Sequence, residues 1–113
     1  MKCHPDTIKA TEASLAHWRE NVALGFDKAA LEGRDCALCV RFYRSRECKT
    51  KKEQCPISRT TGQRQCWGTP YNDVISARTS SEFDLAARAE VAFLEAVLAS
   101  LEPSDNSEDY KPL

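Results

Sequence analysis

No stretch of the 113-residue chain approaches the roughly 18 consecutive apolar residues that a membrane-crossing helix needs. The opening Met1-Lys2-Cys3-His4-Pro5-Asp6 lacks the apolar core of a secretory leader, so a reducing, cytoplasmic setting is expected. A nucleophile elbow, a phosphate-binding P-loop and a dinucleotide fingerprint are all missing. Histidine occurs twice, as His4 and His17, and nowhere after them. HNH-type nucleases set a catalytic histidine beside a cysteine knuckle, and this chain has none to set there. No internal repeat is visible. These absences point to a binder and not to an enzyme. The length suits one compact domain and is short for two.

Cysteine is what the chain has in excess, with six. That is about 5% of the residues, below the roughly 8–10% of small disulfide scaffolds. Five of the six fall in one charged stretch. Residues 36–71 carry eight basic side chains against two acidic ones, a net +6 hidden inside an overall −1. Residues 72–113 carry three basic and nine acidic, a net −6. A local cluster of Lys and Arg is the electrostatic footprint of a phosphate-bearing or acidic partner.

Helical periodicity frames this middle. Residues 6–24 predict an amphipathic helix capped by Asp6 or Thr7. Its stripe is Leu15, Trp18 and Val22, extended by Ile8 and Thr11, with Gly25 as its end. Trp18 is expected in the core and His17 on the surface. A short turn of helix is expected after Asp27, over residues 28–32. Val40-Arg41-Phe42-Tyr43 has the makings of a strand. Thr69-Pro70 predicts another helix start, with Val74 and Ile75 as its apolar face. Thr79-Ser80-Ser81-Glu82 reads as a capping box. The helix it opens carries Phe83, Ala87, Val91, Leu94, Leu98 and Leu101 on one stripe, and Pro103 closes it. Its alanines at 86, 87, 89, 92, 96 and 99 allow close helix approach. Residues 103–113 are acidic and apolar-poor, so a disordered tail is expected there. The expected architecture is mainly α, with two long helices flanking a loop-rich, zinc-stapled knuckle in one domain over residues 1–102.

The zinc expectation rests on spacing. Cys36-Ala37-Leu38-Cys39 is a C-x2-C, whose two thiolates converge on one ion, and zinc takes four such ligands in a tetrahedron. We assign Cys36, Cys39, Cys55 and Cys66. Cys55 is followed by the stiffening Pro56, and Cys66 sits just before the helix that Thr69-Pro70 starts. An alternative set replaces Cys66 with Cys48. Cys3-His4 can cap a metal site but as a terminal pair is expected to be inert. A four-iron cluster and disulfides are the competing readings of the same thiols. One zinc here would replace the core that residues 34–66 lack.

The run Cys36-Ala37-Leu38-Cys39, Cys48, Cys55-Pro56-Ile57, Thr61-Gly62 and Cys66-Trp67-Gly68-Thr69-Pro70-Tyr71 resembles small cysteine-rich proteins encoded in phage and prophage genomes. His17-Trp18-Arg19-Glu20-Asn21 in the first helix is similar too, so the likeness spans residues 14–75. It implies a phage-type origin and action in the cytoplasm of a bacterial host, and no particular activity. Two partner classes are expected. A host protein is the first, docked by the helices or knuckle, with Trp67 as an anchor. Nucleic acid is the second, with Arg41, Arg44, Arg46, Lys49, Lys51 and Lys52 on phosphates and Phe42, Tyr43 or Trp67 stacking.

Overall fold

A computed structural model describes residues 1–31, 37–39, 55–62 and 68–103. Among the described residues, seven elements follow in chain order: β1 (Lys2–Cys3), α1 (Pro5–Leu24), α2 (Ala37–Cys39), α3 (Pro56–Thr61), α4 (Tyr71–Ser76), α5 (Ser80–Ala99) and β2 (Glu102–Pro103). The described residues are mainly helical, as the periodicity predicts. The expected strand at 40–43 lies outside the described residues, as does the expected tail at 103–113 apart from Pro103. No helix among the described residues is long and apolar enough to cross a membrane.

α1 begins one residue earlier than its polar residues suggest. Pro5 occupies the first turn, where its missing N–H costs nothing, and His4 is the cap, its Nδ1 accepting the Asp6 N–H at 2.9 Å. Asp6 and Thr7 lie inside the helix. Gly25 ends it in the left-handed region, at φ 85°, with its N–H on the Asn21 carbonyl at 3.0 Å. The short helix expected over 28–32 does not form over its described part. Residues 26–28 are a turn, and 29–31 run without regular structure.

Of the two caps expected further on, the one at Thr79 is present, while the N-cap position of α4 falls on Pro70, not on Thr69, and carries no side-chain cap. The Thr69 hydroxyl, one residue earlier, accepts the Tyr71 N–H at 3.1 Å. The Thr79 hydroxyl accepts the Glu82 N–H at 3.1 Å, and the Glu82 carboxylate accepts the Arg78 N–H at 2.9 Å. Val74 is buried on α4 but Ile75 is 56% exposed, because a six-residue helix turns only one narrow face inward.

α1 and α5 pack on each other along their lengths, and α4 packs on α5. Leu15 and Trp18 of α1, Val74 of α4, and Phe83, Ala86, Ala87 and Leu94 of α5 form one buried cluster. Phe26, beyond the end of α1, meets Phe83 edge-to-face at 5.9 Å. Of the six alanines on α5, Ala86 and Ala87 are buried and the other four are exposed.

One feature has no counterpart in the sequence reading. β1 and β2 pair in parallel, Lys2 opposite Glu102 and Cys3 opposite Pro103, and the Glu102 N–H donates to the Met1 carbonyl at 2.8 Å. Pro103 therefore belongs to the paired structure. Cys3, expected to be inert, is 1% exposed.

Two stability effects follow. Leu94→Ala opens a cavity at a fully buried site and should cost about 2–5 kcal/mol in denaturant unfolding. Thr79→Ala removes the α5 cap and should cost about 1 kcal/mol, with Thr79→Ser recovering most of it.

Candidate metal centre

Of the four assigned ligands, Cys55 is the one whose side chain the structure describes, and it is buried at 4% exposure. Cys39 closes α2, but its side chain lies outside the described part. Cys36 and Cys66 lie outside the described residues, as do the contested Cys48, the basic residues Arg41, Arg44, Arg46, Lys49, Lys51 and Lys52, and Trp67. Among the described residues no group of three or more His, Cys, Asp or Glu could hold a metal ion.

The segments on either side of these cysteines are held firmly. Leu38, inside the C-x2-C, is 1% exposed and belongs to the same apolar cluster as Cys55, Ile57, Trp18 and Phe83. Its N–H donates to the Ser14 hydroxyl of α1 at 3.2 Å. Leu38 and Cys55 thus converge on one cluster, although fifteen residues separate Cys39 from Cys55.

A second set of bonds closes the flanks. The Tyr71 hydroxyl, five residues after Cys66, donates to the carbonyl of Leu31, five residues before Cys36, at 2.7 Å. The Tyr71 ring stands edge-on to Trp18 at 6.0 Å, which fixes where the hydroxyl points. Behind it, the buried Asn21 side chain grips the backbone of Ala30 twice. Its Oδ1 accepts the Ala30 N–H and its Nδ2 donates to the Ala30 carbonyl, both at 3.0 Å. His17 is half-buried with its Nε2 2.9 Å from the same carbonyl. It holds the loop and is not the surface residue its sequence position suggests. These bonds supply the order that a short helix over 28–32 was expected to give.

Cys55 also marks the start of α3. Its carbonyl accepts the Arg59 N–H at 3.0 Å, and the Arg59 guanidinium donates to the Lys2 carbonyl at 2.9 Å. The helix that Cys55 opens is thereby tied to the strand that carries Cys3. Both cysteines are buried thiols. Cys3-His4 is a structural pair: one side chain is packed inside and the other caps α1.

Comparison with protein families, with curated proteins and with solved structures found no match to the chain.

Three contributors escaped the sequence reading. Asn21 and Tyr71 act through backbone carbonyls of distant residues, and neither pairing has a local signal. Glu90 is 1% exposed on the buried face of α5, in series with Phe83, Ala87, Leu94 and Val97. Helical spacing does place it there. Its charge argued for the surface, since burying a carboxylate is costly unless it is compensated.

The Asn21 clamp gives a direct check. Asn21→Ala leaves the Ala30 N–H and carbonyl without their side-chain partner and should destabilise the fold by about 2 kcal/mol. Hydrogen exchange at residues 26–31 should rise before exchange in α5 does.

Proposed function

We propose that the chain is a small zinc-binding, non-enzymatic interaction module of the phage type, which docks on a host protein in the bacterial cytoplasm as an inhibitor or regulator. One structural ion is held by Cys36, Cys39, Cys55 and Cys66. The observation that carries the zinc reading is the convergence of Leu38, from within the C-x2-C, and Cys55 in one buried cluster. The Tyr71–Leu31 bond adds the flanks of Cys66 and Cys36 to the same region. Thiolates suit zinc as soft ligands, and a buried Cys55 keeps water from one side of the ion. A site closed by four cysteines leaves no coordination position for a substrate, so the ion's contribution is to fold stability.

The choice of a protein partner rests on the near-neutral overall charge and on the likeness to small phage proteins. The net +6 of residues 36–71 favours a second reading, a nucleic-acid binder using the basic segment 41–64. The two readings share the metal and differ in what touches the basic surface.

Native mass spectrometry should show one zinc per chain, lost on chelation together with cooperative unfolding. Cys36→Ser should abolish metal binding and Cys48→Ser should retain it. A metal-free mass two protons lighter per cysteine pair would mean disulfides instead, and iron in elemental analysis would mean a cluster. Retention on heparin that falls steeply with salt would favour the nucleic-acid reading. A stoichiometric protein recovered from bacterial lysate, insensitive to nuclease, supports the host-protein reading.

A further inference from the structure

Glu90 is a carboxylate that the fold takes out of water. It is 1% exposed on α5, one turn after the buried Ala86 and Ala87 and one turn before the buried Leu94. It is engaged there in a polar interaction. A carboxylate buried this deeply is tolerated when an opposite charge stands close to it in good hydrogen-bonding geometry, since the desolvation of a lone ion costs more than a small fold can offset.

The cations of the described residues are occupied elsewhere. Every Lys and Arg among them is exposed. Arg19 faces Glu95 at 3.6 Å, Arg88 bonds Asp84 at 2.9 Å, and Arg59 donates to the Lys2 carbonyl at 2.9 Å. The side chains that reach the neighbours of Glu90 come instead from the cysteine-bearing part of the chain. Leu38, Cys55 and Ile57 share one buried cluster with Ala86, Ala87 and Leu94. Leu38 is pinned by its N–H to the Ser14 hydroxyl at 3.2 Å. Arg34 precedes it by four residues and Arg41 follows it by three.

We infer that one of these two arginines, Arg34 or Arg41, enters the core and forms a buried ion pair with Glu90, latching the C-x2-C segment onto α5. An arginine suits the role better than a lysine. Its planar fork can bond both oxygens of a carboxylate, and it keeps its charge when buried. Arg44 and Arg46 lie six and eight residues beyond Leu38, and the lysines at 49, 51 and 52 lie further still. They stay available to a partner. The pair makes Glu90 a positioning residue for the candidate metal centre. That consequence rests on the zinc reading, and the pair itself does not.

A double-mutant cycle on the full chain as purified, read by denaturant unfolding, tests the pair. Glu90→Gln keeps the shape and removes the charge, and it should lower the folded-to-unfolded ratio at least tenfold. Arg34→Gln or Arg41→Gln should do the same, and combining the partner's variant with Glu90→Gln should cost no more than the worse single change. Arg44→Gln and Arg46→Gln should each combine with Glu90→Gln as independent changes. If a single variant is too unstable to measure, Glu90→Leu combined with the partner arginine→Met should still fold, because replacing both ions removes the buried charge altogether. A Glu90→Gln chain as stable as the parent, independence from both Arg34 and Arg41, or coupling to Arg44 or Arg46 instead would overturn the inference. The cycle reads the pair whether or not zinc is found, so a metal-free chain with full coupling would remove the zinc reading and leave the latch standing.

Discussion

Leu15 and Trp18 on α1 share one buried cluster with Phe83, Ala87 and Leu94 on α5, and each shorter element enters that cluster with one or two side chains. α2 contributes Leu38, α3 contributes Ile57, α4 contributes Val74, and Cys55 arrives with α3. None of the three short helices exceeds six residues, well below the length at which a helix is stable alone in water. Their order is borrowed from the pair of twenty-residue helices. Cys39 and Cys55 are therefore carried by short segments that lean on the core beside them.

Hydrogen bonds to backbone groups complete the arrangement. Ordering a residue costs about 1–2 kcal/mol, and the described loops bury little apolar surface with which to offset it. Asn21, Tyr71 and Ser14 reach across from helices to Ala30, Leu31 and Leu38, and Arg59 reaches Lys2. Each of these side chains leaves a helix and ends on a peptide group in a segment with little or no regular structure. The described segments around the candidate metal centre are in this sense tied from the helices outward.

The parts that could be read from the sequence were those with local physics. The Thr79 cap with Glu82 and the Gly25 stop each depend on residues within four positions of one another. The stripe of α5 was legible for the same reason, since Phe83, Ala87 and Leu94 recur with the helical period. The roles of His17 and Cys3 are set by Ala30 and by the β1–β2 pairing, and nothing nearby in the chain announces either. Glu90 stands beside Val91, the residue that the expected stripe turned inward, and the structure buries Glu90 while Val91 is half-buried. The alanines of α5 pointed to close packing, and the structure divides them: two face the core, and four line the opposite side.

The sequence alone determined that two long helices form, where α1 stops and where α5 starts, and the C-x2-C with its further cysteines, because propensity, capping and spacing are local quantities. Tertiary structure alone decided that Leu38 and Cys55 meet in one cluster, that the two ends of the described chain pair as parallel strands, and that α5 keeps a second apolar face outward. Those outcomes depend on which surfaces remain after the first helices have packed, and such surfaces have no signature within any short window of the chain.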